Sequence, residues 1–423
     1  MTNQGNFHAR CGCAAIFLAA FLFLSSCETA PERPHLVRTG DPIIDGNTEL
    51  AAAPPQDRVM WDYRIAASAM RTGNFPEARA KLDDAISRIG GILANDEAAK
   101  KARGLFSPER GKTFIGEPYE RVMAYYYRGL LYWKDGEPDN ARACFRSAQL
   151  VDADAESETY KSDYILLDYL DGLASTKLAG DGSDGLSRAQ KVAKRELPAY
   201  DPKANTLLFL EWGQGPRKYA AGQYGEQLRF HVEPSRVRSA ALTIGQRTFN
   251  FTPWDNLNYQ AVTRGGRVMD YILGKKAVFK QNADAVGDVA LVGAAVAADN
   301  IYKDKDEPSR RPGRRGDRSD SPPPEKPEKN YDAENAAIAL GVVGIVSKIA
   351  SAAATPEADT RMWDNLPQYL SFAAVKLAPG DHPALLQFYD AQGHVIADLT
   401  RRLTVTVADP ARDTVVILSE LKH

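Results

Sequence analysis

Three short stretches carry residue types that bind phosphate or metal ions, and each lacks a feature that the chemistry needs. "GQGPRK", residues 213–218, has the glycines of a phosphate-binding loop, but Pro216 removes an amide donor and no Gly-Lys-Ser/Thr sequence follows. "DADAES", residues 152–157, begins like a calcium-binding loop, yet Ser157 stands where the sharp turn requires glycine. The six histidines show no zinc-ligand spacing. No metal or other cofactor is therefore expected.

Residues for acid–base or nucleophilic catalysis are equally sparse. Asp168 and Asp171 fall on one face of a predicted helix, where we expect solvated carboxylates rather than a paired acid and base. The chain has no Gly-x-Ser-x-Gly motif, and Cys144 has no evident histidine partner. Because Cys144 lies among small and aromatic residues, we expect a buried free thiol there. The sequence thus favours a protein that is not an enzyme.

The clearest chemical signal is Cys27, which ends an apolar segment near the start of the chain. Residues 11–24 are almost wholly apolar and have the length of a signal-peptide core, too short to cross a bilayer comfortably. Leu24-Ser25-Ser26-Cys27 then matches the lipobox of bacterial lipoproteins, whose small residues admit the signal peptidase and whose thiol takes a diacylglyceryl group. The alternative is an ordinary signal peptide with an incidental cysteine.

The resemblance to lipoproteins has consequences for location. It implies that residues 1–26 are a signal peptide and that Cys27 becomes a triacylated N-terminus, which anchors a protein durably. Glu28 follows the cysteine where Asp would mark inner-membrane retention, so the resemblance implies the outer membrane, facing the periplasm, with surface exposure also open. Residues 27–55 are rich in proline, threonine and alanine and are predicted to be a tether.

Size and charge set broad limits on domains and partners. The 423 residues leave room for two or three domains, each with its own core. The formal net charge of −2 provides no overall attraction to nucleic acid, so none is expected as a partner. The expected partners are the membrane, through the lipid anchor, and other envelope proteins.

Residues 56–200 show a repeated helical pattern. Small and aromatic residues follow two glycine loops at the same offsets, as in tetratricopeptide repeats, and a third helical pair is predicted near 160–193. A generic array of helical hairpins is the alternative. The matching positions are Ala78, Leu82 and Ala85 after Gly73, and Ala141, Phe145 and Ala148 after Gly136, with Gly129 and Tyr132 also matching in the second copy.

Residues 201–262 and 366–423 alternate between short apolar strands and turns, which is typical of a small antiparallel β-sandwich. Between them, residues 263–365 are predicted to be a helical insertion, whose segment 303–329 is rich in proline and charge and is predicted to be disordered. The fold class is therefore α+β: a tetratricopeptide-like helical array followed by an antiparallel β-sandwich with a helical insertion.

Two segments carry a resemblance to a family. "GEPYERVMAYYYRGLLYWKDGEPDNARACFRSAQ" and "ATPEADTRMWDNLPQYLSFAAVKLAPGDH" resemble signature segments of an uncharacterised family of bacterial envelope lipoproteins. The resemblance implies a repeat-like helical N-terminal half and a strand-rich C-terminal half, and no catalytic residues. "LLFLEWGQGPRK" also resembles a family segment, and the candidate binding surface consists of polar residues in these segments, namely Arg217, Lys218, Arg361 and Trp363. In the equally weighted alternative, Trp363 plugs a core and Arg361 pairs with Asp359.

The features above favour a lipid-anchored cell-envelope scaffold or adaptor that binds partner proteins through its helical half, because helical arrays of this type present a concave face to proteins and peptides. The main alternative is a peptidoglycan- or carbohydrate-binding module that uses the strand half. The second alternative is an unrecognised hydrolase.

The lipobox interpretation predicts that Cys27→Ser abolishes lipidation, because a serine hydroxyl cannot form the thioether. We expect this variant to keep its signal segment or to be mislocalised, whereas Cys144→Ser, the matched control, should remain anchored. Mass spectrometry of the mature N-terminus measures the difference. A free thiol on Cys27 of the native protein would contradict the interpretation.

Overall fold

Helices make up the first part of the described chain and strands the second, so the protein is α+β. The computed structural model describes residues 37–94, 112–153, 161–223, 225–263 and 357–421. The predicted signal peptide, the predicted lipidation site and segment 303–329, which the sequence predicts to be disordered, lie outside these residues. Within them the α-helices are α1 Pro42–Ala52, α2 Arg58–Thr72, α3 Phe75–Ala94, α4 Pro118–Lys134, α5 Pro138–Asp152, α6 Ile165–Lys177, α7 Ser183–Val192 and α8 Leu257–Val262.

Local signals begin and end the helices. Gly73 ends α2 in the left-handed conformation, with φ of 77°, which costs glycine little. Glu117 and Glu120 form a reciprocal capping box at the start of α4. Short loops then pair α2 with α3, α4 with α5 and α6 with α7 as consecutive hairpins. The residues that matched the repeat pattern are fully buried in them: Ala78, Leu82, Ala85, Ala141, Phe145 and Ala148.

Residues 42–52, which the sequence predicts to be part of the tether 27–55, form helix α1. Asp41 caps α1 by accepting hydrogen bonds from the amides of Ile43 and Ile44. The helix packs on the next hairpin, where Asn47 Nδ2 donates to Glu77 Oε1 over 2.8 Å. The tether prediction is therefore wrong for residues 42–52, because a capped helix with a buried face outweighs the local proline content.

The strands form two four-stranded sheets and one ribbon. We call the sheet with strand order β10-β1-β7-β6 the inner sheet and the sheet with order β5-β4-β8-β9 the outer sheet; β2 and β3 form the ribbon. Each four-stranded sheet combines strands from both sides of residues 264–356. The strands are β1 Thr206–Gln214, β2 Arg217–Ala221, β3 Gln227–His231, β4 Ser239–Ile244, β5 Arg247–Phe251, β6 Asp255–Asn256, β7 Pro367–Val375, β8 Gly380–Tyr389, β9 Arg401–Val407 and β10 Thr414–Ser419.

The inner sheet is mixed rather than wholly antiparallel. Phe209 of β1 lies opposite Phe372 in the antiparallel strand β7 and opposite Ile417 in the parallel strand β10. The parallel pair arises because the chain crosses from the outer to the inner sheet between β9 and β10 instead of turning back in a hairpin. In the outer sheet, Gly245 and Gln246 form the turn that joins β4 to β5, with φ of 60° at Gly245.

Strand β1 is buried on both faces, which places the inner sheet between two apolar cores. Leu207 and Phe209 belong to the core shared with the helices. Leu208 and Trp212 belong to the core shared with the outer sheet. Alternate side chains of a strand point to opposite faces, so helices, inner sheet and outer sheet form three successive layers.

Residues 357–365, predicted as the end of the helical insertion, contain no helix. The Asp359 carboxylate accepts from the Arg361 amide over 3.0 Å, a local turn that competes with helix formation. The insertion prediction is therefore wrong for these residues, and residues 264–356 lie outside the described chain.

Close packing between α4 and α5 yields a stability prediction. A Cβ added at Gly129 would come within 2.6 Å of Phe145 Cε1, whereas at Gly90 of α3 it would meet nothing within 4 Å. Gly129→Ala should therefore lower the free energy of unfolding by about 1–3 kcal/mol through overpacking. Gly90→Ala, the matched control, should raise it by up to about 1 kcal/mol through helix propensity. Urea unfolding followed by circular dichroism measures both, and equal stability of the two variants would contradict the close contact.

Candidate functional site

The four candidate binding residues do not form a common surface. Lys218, Arg361 and Trp363 are 6%, 9% and 1% exposed, while Arg217 is exposed. The expectation of exposure is therefore wrong for three of the four residues. Their contacts are those of the alternative interpretation, in which Trp363 plugs a core and Arg361 pairs with Asp359.

Lys218 joins the ribbon to helix α4 through a buried ion pair. Its Nζ lies 2.5 Å from Glu120 Oε2 and 3.0 Å from the Arg361 carbonyl oxygen. The other carboxylate oxygen of Glu120 accepts from the Trp363 amide over 2.7 Å. Burial raises the pKa of Glu120, and the Lys218 ammonium opposes that rise. One carboxylate thus holds α4, β2 and the segment before β7 together.

Arg361 and Trp363 attach the same segment to the first helices. The Arg361 guanidinium lies 2.6 Å from Asp359 and 2.7 Å from Asp57, which precedes α2. Trp363 stacks on Tyr63 of α2, with ring centroids 4.3 Å apart and planes 13° from parallel. Both side chains are buried, and their contacts join the segment before β7 to the first helices.

Asp168 and Asp171 are also buried, which corrects the expectation of solvated carboxylates. Arg188 of α7 donates to both carboxylates, over 2.8 Å to Asp168 and 2.7 Å to Asp171. Arg142 and Arg146 of α5 donate to Asp171 over 3.0 and 2.9 Å. Burial raises the pKa of Asp168 and Arg188 opposes it. The cluster ties α5, α6 and α7 together, and carboxylates bound by arginines make poor general bases.

Asp62 and Asp84 are a pair of carboxyl groups with divergent pKa values. Burial raises the pKa of Asp62 to about 7, while Arg88 holds the pKa of Asp84 well below its usual range. Such divergence is a feature of acid–base pairs in enzymes. Asp62, however, is 1% exposed, so a substrate has no access to its carboxyl group.

Cys144 is a free thiol, as expected, but it is half-buried rather than buried. Burial raises its pKa to about 11, so the thiol stays protonated at neutral pH. A protonated thiol is a weak nucleophile, which makes catalysis by Cys144 unfavourable.

The first helix of each hairpin is covered by the strand half. Helices α2, α4 and α6 are buried along nearly their whole length, and their side chains share a core with Phe209 and Phe372 of the inner sheet. The second helices, α3, α5 and α7, keep exposed stripes that include Ala80, Ala143 and Ser187. The face that sequence reasoning assigned to partners is thus filled by the protein's own sheet.

A cavity of about 730 Å³, the junction cavity, lies where helix ends meet strand ends. Its wall includes the α4–α5 turn, the end of α6, and the segments before β1, after β7 and before β10. The charged side chains that line it are Lys177, Lys203, Lys376, Arg412 and Asp413.

Both carboxylate oxygens of Asp413 accept hydrogen bonds within the wall of the junction cavity. Its two carboxylate oxygens accept from Lys177 Nζ over 2.7 Å and from Trp133 Nε1 over 2.9 Å. Arg412 donates to the Asp135 carbonyl oxygen over 2.7 Å, and it lies so close to Gly136 that a Cβ there would overlap the guanidinium. Gly136 therefore meets two requirements. It leaves room for Arg412, and it adopts the left-handed conformation in the α4–α5 turn.

Sequence reasoning missed the junction cavity. Its charged residues come from four separate segments, each of which has the sequence of an ordinary turn or helix end. Only the proximity of these segments in the fold marks them as a group.

Comparisons with protein-family models, curated proteins and solved structures find no match for this chain. In the part of the chain that the structure describes, no cluster of three or more His, Cys, Asp or Glu side chains is arranged to hold a metal ion. No helix in those same ranges has the length and apolar character needed to cross a bilayer.

The buried ion pair predicts that two neighbouring cations, Lys218 and Arg217, differ sharply in their contribution to the free energy of unfolding. Lys218→Met removes the partner of Glu120 and leaves a buried carboxylate uncompensated, so the free energy of unfolding should fall by about 3–5 kcal/mol. Arg217→Met, the matched control, changes an exposed side chain and should alter stability by less than about 0.5 kcal/mol. Urea unfolding compares the two variants, and similar effects would show that the Lys218–Glu120 pair does not stabilise the contact between the ribbon and α4.

Proposed function

We propose that this protein is a lipid-anchored adaptor of the bacterial cell envelope, located at the outer membrane and facing the periplasm. In this proposal Cys27 carries the lipid and the outward helices α3, α5 and α7 hold partner proteins. The observation that carries it is the covering of α2, α4 and α6 by the inner sheet, which leaves the second helices as the exposed face of the helical half.

The proposal includes the finer description of the fold. We propose that the three hairpins are tetratricopeptide-like units and that the two four-stranded sheets form a sandwich. The contact between Gly129 and Phe145 supports the first part, because small residues in one helix that receive an aromatic residue from the next are typical of such repeats. The core between the inner and outer sheets supports the second.

The surface of the outward helices is suited to protein contact. Leu150 of α5 is 76% exposed, and it lies on the same helix face as Ala143 and Arg146. An exposed leucine beside small and basic side chains provides an apolar anchor within a polar rim, the usual composition of a protein interface. The carboxylate pairs described above are bound by arginines or closed to solvent, which favours binding over catalysis.

Site-specific photo-crosslinking in cells tests the proposal. A benzophenone amino acid is placed in the full-length protein at exposed positions of the outward helices, Ala80, Ala143 and Ser187, and at Thr404 of the outer sheet as the matched exposed control. We expect discrete protein adducts from the helical positions and none from Thr404, with gel shifts and mass spectrometry as the readout. An absence of adducts at all three helical positions would contradict the adaptor function.

Adducts with cell-wall material at Thr404 alone would instead favour the second candidate, a peptidoglycan- or carbohydrate-binding module that uses the strand half. The three-layer arrangement supports this candidate, since it leaves the outer face of the outer sheet exposed, with Arg402, Thr404 and Thr406 along β9. Co-sedimentation of the full chain with purified sacculi distinguishes the two candidates.

A further inference from the structure

The junction cavity gathers more positive than negative charge. Lys177 pairs with Asp413, the one carboxylate in the described wall, and so these two charges cancel. Lys203 and Lys376 are exposed, and no carboxylate of the described residues lies within ion-pair distance of either. The Arg412 guanidinium donates to a neutral acceptor, the carbonyl oxygen of Asp135. Among the described residues of the wall, three positive charges therefore remain without a counter-charge.

Asp135, whose carbonyl oxygen accepts from Arg412, has its carboxylate paired elsewhere. Asp135 directs its carboxylate to Arg79, with 2.7 Å between Arg79 Nη2 and Asp135 Oδ2. Cations that share a cavity repel one another, and an anion bound among them removes that repulsion.

A buried asparagine holds the cation-bearing segments in fixed positions. Asn205 is 8% exposed, and its side chain both donates to the Leu377 carbonyl oxygen over 3.0 Å and accepts from the Leu377 amide over 2.9 Å. Its backbone carbonyl accepts from the Thr414 amide over 2.8 Å. Asn205 thus joins the segments that carry Lys203, Lys376 and Arg412.

Prolines further restrict these same segments, since Pro202, Pro379 and Pro410 also line the cavity. A site whose charged groups are held in place before binding loses less conformational entropy when a ligand arrives. The cavity volume of about 730 Å³ is within the range of small-molecule sites.

We propose that the junction cavity binds a small organic anion with two or more negative charges, of the carboxylate or phosphate type. Lys203, Lys376 and Arg412 contact the anion, and Asn205 acts as a positioning residue that brings their three segments together. This ligand site includes none of the exposed helix positions chosen for crosslinking and goes beyond the adaptor function.

Isothermal titration calorimetry on the full-length protein in detergent at low salt tests the site. The probes are citrate for polycarboxylates, pyrophosphate for phosphates, and a neutral disaccharide as the blank. We expect citrate or pyrophosphate to bind with a submillimolar Kd that weakens as salt is added, and no heat from the disaccharide. Binding of citrate alone or of pyrophosphate alone identifies the anion type.

Charge reversal at the exposed lysines locates the binding. Lys203→Glu with Lys376→Glu should weaken binding by about tenfold or more, because two attractive contacts become repulsive. The matched control, Lys191→Glu with Arg229→Glu, makes the same change in net charge at exposed residues outside the cavity wall and should leave Kd within about twofold. If the reversed variant fails to fold, Lys203→Gln with Lys376→Gln gives the same comparison with a smaller loss.

Two results would overturn the proposal: no binding of either anion to the native protein, or an equal loss of affinity in the cavity and control variants. Neither result bears on the photo-crosslinking of the outward helices, so failure of the anion site and failure of the adaptor function are distinguishable.

Discussion

The buried carboxylate of Glu120 is the contact on which the rest of the structure depends. An ionised carboxylate loses its hydration on burial and is stable there only with a full set of partners. Glu120 obtains these partners from Lys218 on the ribbon and from the Trp363 amide, far away along the chain. The carboxylate is satisfied only when the helices and the strand half are joined, so the pair makes their docking specific.

A second buried carboxylate joins the same two layers near their centre. Glu211 of β1 accepts from Arg71 of α2 over 2.7 Å, from the Tyr127 hydroxyl of α4 over 2.5 Å and from the Ser419 hydroxyl of β10 over 2.8 Å. The apolar core around Phe209 supplies the area that drives association, but apolar contact has little directional preference. The two carboxylates fix the orientation of the helices relative to the inner sheet, since hydrogen bonds to a buried charge tolerate little displacement.

This contact between the helices and the strand half, the joint, determines which surfaces are left for partners and ligands. It converts the inner face of the helical half into core, as the complete burial of Tyr63 and Trp363 illustrates. Among the described residues, the exposed features that remain include the outward helices, the outer face of the outer sheet, and the junction cavity where helix ends meet strand ends. The cavity depends on the joint too, because Trp133 of α4 and Asp413 before β10 meet only when the helices and the strand half are in contact.

The sequence by itself determined the local structure: the hairpins around Gly73 and Gly136, the buried positions Ala78 and Phe145, and the turn at Gly245. Periodicity and glycine conformation are properties of neighbouring residues, so they can be read from a single chain. Only the tertiary structure decided which polar residues are buried. Asp255, for example, accepts from the amides of Ile165 and Leu166 at the start of α6, about ninety residues away.

For the same reason, the sequence could not predict which of the candidate binding residues are buried. Lys218 and Arg217 are adjacent basic residues with the same local pattern, yet one is buried against Glu120 and the other is exposed. The cations of the junction cavity are likewise ordinary turn residues in the sequence. Burial and charge pairing depend on which distant segment lies opposite, as the pairing of β1 with β7 and β10 shows for the inner sheet.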